Sequence, residues 1–224
     1  MREIVLDTET TGLDPAQGHK IVEIGCVELE NHMPTGRTFQ EYLNPEREMS
    51  EEVIAVHGIT NEFVQDKPKF KEVAQKFLDF IGSDAKLVIH NAAFDMKFLN
   101  AELTSAGFEA LSYNRVIDTL IIARQKFPGS RVNLDELCKR FKIDASARTV
   151  HGALLDSELL AEVYLELIGG REPGLVLGLK NEVKKSADKI IQKQYHEPRF
   201  FPPSEEEIKE HQIFMEKIPD HLWG

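Results

Sequence analysis

Cysteine, positive charge and long apolar runs are scarce in this chain, and each scarcity narrows what it can be. Cys26 and Cys138 are the only two cysteines and lie far apart, which argues against a disulfide framework and suits a reducing cytoplasm. As small apolar side chains they are expected in the core. No Cys/His cluster is present, so a zinc site is not expected. No stretch approaches the roughly 18 apolar residues of a membrane span, and the N-terminus enters a strand without a signal-peptide pattern. No membrane association is expected, and internal repeats and low-complexity tracts are absent.

The formal net charge is −11, and by itself this argues against a polyanionic partner, because phosphate binding usually leaves a basic footprint. Its distribution softens the argument. Between Arg115 and Arg148 eight basic residues face four acidic ones, so a locally positive region can still guide a polyanion, and bound cations would neutralise clustered carboxylates. A set of solvated helix faces explains the same pattern.

What the chain does have is a strand that ends in acid: Ile4-Val5-Leu6-Asp7-Thr8-Glu9-Thr10-Thr11-Gly12. Asp7 and Glu9 are two residues apart, so their side chains share one face of the strand. Two carboxylates crowded at the end of a buried strand repel each other and lose hydration, which is tolerable when a cation sits between them.

Further strands are read at residues 20–30, 38–43, 87–89 and 116–117, with Asn31-His32 and Pro34 to Gly36 turning between the second and third. Helices are read at 70–81, after Asn91 as N-cap, at 119–127, 134–141 and 153–168. Three meandering strands followed by strand–helix alternation imply an α/β fold, a mixed five-stranded sheet flanked by helices. After Gly169-Gly170 the chain breaks into short amphipathic pieces. Leu179, Val183, Ala187, Ile190 and Ile191 share a helical face, and Ser204 with Glu207 fits a capping box. Such pieces bury an apolar face poorly alone, which favours a partner-binding tail.

Three later residues qualify as companions of the acidic pair. Asp95 falls in the first turn of its helix, where an acidic residue also simply favours the helix N-terminus. Asp156 lies on the stripe of Leu159, Leu160, Val163 and Leu167, so it needs a partner, which a structural Arg or Lys could supply as well as a metal. His151 precedes Gly152 where this helix begins. A regular helix would turn His151 about 140° away from Asp156, but an entry loop with Gly152 leaves it free to be re-aimed. An imidazole there can take a proton from water near neutral pH.

Together these segments resemble the DEDDh exonucleases, which have a ribonuclease-H-like fold. Asp7-Thr8-Glu9-Thr10-Thr11-Gly12, His90-Asn91-Ala92-Ala93-Phe94-Asp95 and His151-Gly152-Ala153-Leu154-Leu155-Asp156 match the three exonuclease motifs in order. The likeness spans residues 1–170, including Val56-His57-Gly58-Ile59 and Asp118-Thr119-Leu120. Gly18 to Gly25 and Arg148 to Asp156 look like the proofreading subunits of bacterial replicative polymerases.

The resemblance implies a 3′→5′ exonuclease domain over 1–170 and a linker with a partner-binding tail over 171–224. It implies two divalent cations, Mg²⁺ or Mn²⁺, held by Asp7, Glu9, Asp95 and Asp156, with His151 as the base. Hard carboxylate oxygens suit those ions. Thr8, Thr10, His57, Asn91 and Phe94 resemble positions that line the terminal nucleotide, and Asp118 is expected to cap its helix and support the site.

The implied partners are DNA 3′ ends and the alpha subunit of DNA polymerase III, the latter docked through Phe201 to Ile208 and Leu222-Trp223, in a cytoplasmic replisome. Arg171 to Leu177 sits where relatives carry a sliding-clamp peptide, with Arg171 in place of Gln. An RNA-trimming exonuclease and a non-catalytic polymerase adaptor are the competing functions.

Overall fold

The central strand takes its place because its side chains alternate between two apolar layers. In the computed structural model, which describes residues 1–146, 148, 150–169 and 202–215, β1 (Arg2–Thr10) lies in the middle of a five-stranded sheet ordered β3-β2-β1-β4-β5. β2 (Ile21–Glu30) and β3 (Met33–Tyr42) follow it as an antiparallel meander, whereas β4 (Lys86–Ile89) and β5 (Val116–Asp118) run parallel to it.

Ile4 and Leu6 face one layer and are covered by α3 (Phe70–Ile81) and α4 (Ala92–Ser105) through Phe77, Phe98 and Leu99. Val5 faces the other layer. There α5 (Thr119–Lys126), α6 (Leu134–Phe141) and α7 (Ala153–Ile168) supply Ala123, Leu137, Leu160 and Val163. This is the mixed sheet with flanking helices that the residue pattern implies. Both cysteines are free and buried.

Three local features depart from the sequence reading. The turn between β2 and β3 is Asn31-His32 alone, with φ of 51° and 68°, the left-handed pair that a two-residue hairpin needs. Pro34 already pairs with Leu29 inside β3. Two short helices, α1 (Glu51–His57) and α2 (Asn61–Gln65), fill the stretch before α3. They bury little and pack a small separate cluster of Val22, Met49, Ile59 and Val64. Asn91 does precede α4, but in a left-handed conformation (φ 66°) and without a side-chain cap bond. The cap comes from Asp118, whose carboxylate accepts from the Asn91 and Ala92 N–H groups at 3.1 and 3.2 Å and also from Leu120 N–H at 2.9 Å.

A separate unit carries α8 (Glu205–Met215), and there the capping box is present. The Ser204 N–H donates to Glu207 Oε2 at 2.7 Å and Ser204 Oγ accepts from the Glu207 N–H at 3.3 Å. α8 carries exposed Ile208, Ile213 and Phe214. The expectations on Leu179 to Ile191, Arg171 to Leu177, Phe201 and Leu222-Trp223 fall outside the described residues. No helix among the described residues is long and apolar enough to cross a membrane.

Candidate active site

β1 runs past its parallel neighbour, and the site lies beyond that end. Its register with β4 reaches only Val5 opposite Val88, so from Leu6 onward that edge opens into the crevice at the carboxyl ends of the parallel strands, a common place for a ligand. Asp7 and Glu9 project on the side of Val5, toward α7, and Glu9 stands opposite Glu23 across the antiparallel pair.

On the other face, Asp95 is buried in the first turn of α4. Its Oδ1 accepts from the Thr8 N–H at 3.0 Å and from the Thr8 hydroxyl at 2.7 Å. These bonds tie the second motif to the first, directly between the two acidic positions of β1.

The start of α7 is clamped onto β2. Gly152, at the N-cap position, offers no side chain, and Glu23 supplies the missing acceptor, its Oε2 taking the Ala153 N–H at 3.0 Å. Gly25 lies against the same turn so closely that a Cβ there would stand 2.1 Å from the Ala153 carbonyl carbon. Only a residue without a side chain permits that approach. Ser157 Oγ donates to the Gly25 carbonyl at 3.0 Å. Because Gly25 pairs with Asp7 across the sheet, this clamp sets the first turn of α7, with Asp156, over the acidic end of β1.

Asp156 is buried and is met by Arg148, which donates through Nε to Oδ1 at 2.5 Å and through Nη2 to Oδ2 at 2.6 Å. The same guanidinium pairs with Asp135 through Nη1 and approaches His151 Nδ1 at 2.7 Å, while Nδ1 lies 3.3 Å from Asp156 Oδ2. One tautomer serves only one of the two Nδ1 contacts: Nδ1 either accepts from Arg148 or donates to Asp156. The His151 N–H donates to the Val56 carbonyl at 3.1 Å, so α1 holds the entry loop in which the histidine is aimed. Of the partners left open for Asp156, the arginine is present as Arg148.

Asp7, Glu9, Asp95, His151 and Asp156 all line one cavity of about 420 Å³, together with Thr8, Asn91 and Phe94. Thr10 and His57 do not line it. Thr10 donates to the Gly12 carbonyl, and His57 is buried, accepting the Ile59 N–H at Nδ1 while its Nε2 has no partner among the described residues. Arg148, which the sequence marks only as the head of the Arg148 to Asp156 likeness, also lines the cavity, as do Asn133 and Asp135, which no sequence pattern marks as site residues. The contacts that bring Glu23, Gly25 and Asp135 here are tertiary, and no periodicity announces them.

The charge is unbalanced. Burial, reinforced by Asp95, Glu9 and Asp156, pushes the Asp7 carboxyl well up, against the lowering pull of Arg148. Burial with Asp156, Glu23 and Asp95 pushes Glu9 up to about 8. Burial raises Asp95 as well, despite its hydrogen bonds from Thr8.

A cluster that resists ionising in this way is arranged for a cation. Oxygen atoms of Glu9 and Asp156 lie within 4.8 Å of one another and of a ring nitrogen of His151; the carboxylate oxygens fit a hard divalent ion, and the imidazole beside them can serve as a base. The same groups can bind a phosphodiester through that ion and take a proton from water.

A family model described as an exonuclease matches residues 4–164. The DNA polymerase III subunit epsilon of Rickettsia conorii is 50% identical over 223 residues, covering 97% of this chain and 96% of the relative. That of Escherichia coli is 43% identical over 228 residues, covering 97% and 93%. The solved structure of exonuclease X in complex with 5′-overhanging duplex DNA superposes with a TM-score of 0.58 at 28% identity, covering 74% of this chain and 90% of that one.

Proposed function

Because the chain belongs to the DNA polymerase III subunit epsilon family of 3′→5′ exonucleases, we propose that Asp7, Glu9, Asp95, His151 and Asp156 form the centre with which it proofreads a replicative polymerase. The observation that carries this reading is the convergence of all five side chains on one cavity, with carboxylate oxygens of Glu9 and Asp156 within 4.8 Å of each other and of a His151 ring nitrogen. Residues 1–170 are the exonuclease domain and 171–224 the linker and tail.

Asp7, Glu9 and Asp156 would hold the catalytic cation, and Asp7 with Asp95 the second, Mg²⁺ or Mn²⁺ in each case. Such ions supply charge for the departing oxygen and make a bound water acidic enough to attack at neutral pH.

The protein's own groups do the rest. Thr8 fixes Asp95 from two donors. The Glu23 clamp fixes the first turn of α7, and Asp118 fixes the start of α4. Asn91 and Phe94 border the space for the terminal nucleotide. His151 accepts the proton of the attacking water, the bond from phosphorus to the 3′ oxygen breaks, and that oxygen takes a proton from solvent. The products are a nucleoside 5′-monophosphate and a strand one residue shorter. Frayed or mispaired ends enter more readily because unstacking a paired end costs a few kcal/mol. The tail docks the polymerase alpha subunit in the cytoplasm, with α8 and its exposed Ile208, Ile213 and Phe214 as part of the contact.

The test is release of nucleotides from 3′-labelled single-stranded DNA and from RNA of the same sequence, with Mg²⁺ or Mn²⁺. DNA is expected to be degraded faster, and Asp156→Asn is expected to abolish release while keeping the fold. Full activity in that variant, or a preference for RNA, contradicts the reading.

A further inference from the structure

A second groove of about 510 Å³ adjoins the catalytic cavity, sharing His90, Asn91 and Asn133 with it. The two spaces differ in charge. Five carboxylates line the first, Asp7, Glu9, Asp95, Asp135 and Asp156. Among the described residues no carboxylate lines the second, whose wall carries Arg124 from α5 and Ser130 and Arg131 from the loop leading to α6; Asp118 stands behind that wall, its carboxylate taken up by the Asn91, Ala92 and Leu120 N–H groups. Arg124, Ser130 and Arg131 are exposed, and among the described residues neither arginine pairs with a carboxylate. At the junction of the two spaces burial is the main influence against protonation of His90, Asp118 favours it, and Arg124 opposes it more weakly. A protein with a net charge of −11 thus places two exposed guanidinium groups, without a carboxylate partner among the described residues, beside its acidic catalytic cavity.

We infer that this groove is a subsite for the phosphodiester backbone of single-stranded DNA on the 5′ side of the bond to be cut. The inference rests on the proposed exonuclease reading and extends it. A strand whose terminal phosphodiester sits among the carboxylates must pass its next phosphates over the protein. Carboxylates would repel them there, while guanidinium forks bind phosphate oxygens bidentately. The hydroxyl of Ser130 and the amides of Asn91 and Asn133 add neutral donors of the kind that position a backbone without reading its sequence. The groove therefore binds strands of any sequence, as a subsite that receives arbitrary 3′ ends must.

The test uses the full chain with Arg124→Gln, Arg131→Gln and both together, on two probes: a single-stranded DNA oligonucleotide and a DNA dinucleotide without a 5′ phosphate. The dinucleotide holds only the bond to be cut, so it reaches the cavity and leaves the groove empty. Each lost contact should lower the slope of log affinity against log salt by about 0.7 on a single strand, and weaken oligonucleotide binding up to about eight-fold at about 50 mM salt. The double variant should show about twice that change in slope, with dinucleotide hydrolysis unchanged. An unaltered salt slope for the oligonucleotide overturns the inference, as does an equal loss on both probes. If the unsubstituted protein cuts neither probe, the catalytic reading fails, and the groove is still judged by the salt slope of oligonucleotide binding.

Discussion

Replacing Arg148 tests whether a guanidinium is the counter-charge of the metal-free site. Its side chain is 8% exposed and that of Asp156 5%, and two of its nitrogens hold both carboxylate oxygens. Removing one partner of a buried, hydrogen-bonded pair costs about 3–5 kcal/mol, because the other charge is left uncompensated. The lower end applies here, because Asp156 keeps His151 at 3.3 Å. The lost contact to Asp135, whose side chain is 53% exposed, adds under about 1 kcal/mol.

Arg148→Gln should thus cost about 3 kcal/mol, which for a chain of this size is a fall in Tm of about 6–12 °C. A divalent cation at about 100 times its Kd returns about 2.7 kcal/mol, so Mn²⁺ should restore most of the loss. The variant should also gain more from Mn²⁺ than the unsubstituted protein does, since no arginine has to leave Asp156. Calorimetry in chelator and in Mn²⁺ reads both numbers. A variant as stable as its parent in chelator, or one that gains no more from metal than the parent, refutes the reasoning.

Three more outcomes are expected. Folded Glu9 keeps its proton up to about 8 whereas its ordinary value is 4.5. The folded state therefore binds more protons across that window, and the metal-free protein should lose stability as pH rises through it, with Asp7 and Asp95 acting in the same direction; Tm measured in chelator from acid to mildly alkaline buffer checks this. Gly25→Ala places a methyl group 2.1 Å from the Ala153 carbonyl carbon, which forces α7 off β2. A misplacement of about 1 Å at a catalytic group can cost on the order of 100-fold, so kcat should fall by at least about ten-fold at saturating metal. Deleting residues 198–224 should abolish copurification with the polymerase alpha subunit and leave nuclease activity intact, as a pull-down paired with a release assay would show.

Short-range periodicity makes part of the site legible in the amino-acid sequence. Asp7 and Glu9 share a face because a strand repeats every two residues, and Asp156 declares itself by standing on an apolar helical stripe. The sheet is legible for the same reason, its strands and longer helices being strongly patterned. What escapes depends on contacts between distant residues. Glu23 and Ala153 are 130 positions apart, and neither looks like half of a helix cap. Asn91 has the chemistry of a cap residue, but its left-handed backbone hands that role to Asp118 from the neighbouring strand. α1 and α2 are short and mostly exposed, so they leave little apolar periodicity, yet α1 holds the loop that aims His151.

The central claim is that the carboxylates at the end of β1, with Asp156, form a divalent-metal centre for cutting 3′ ends. Anomalous scattering from crystals of the full chain grown with Mn²⁺ and a nucleoside 5′-monophosphate tests it most directly. A peak among the oxygens of Asp7, Glu9 and Asp156, with Arg148 withdrawn from Asp156 and the nucleotide beside Phe94, is the expected result. An Arg148 still clasping Asp156, with Mn²⁺ found only elsewhere, would contradict it.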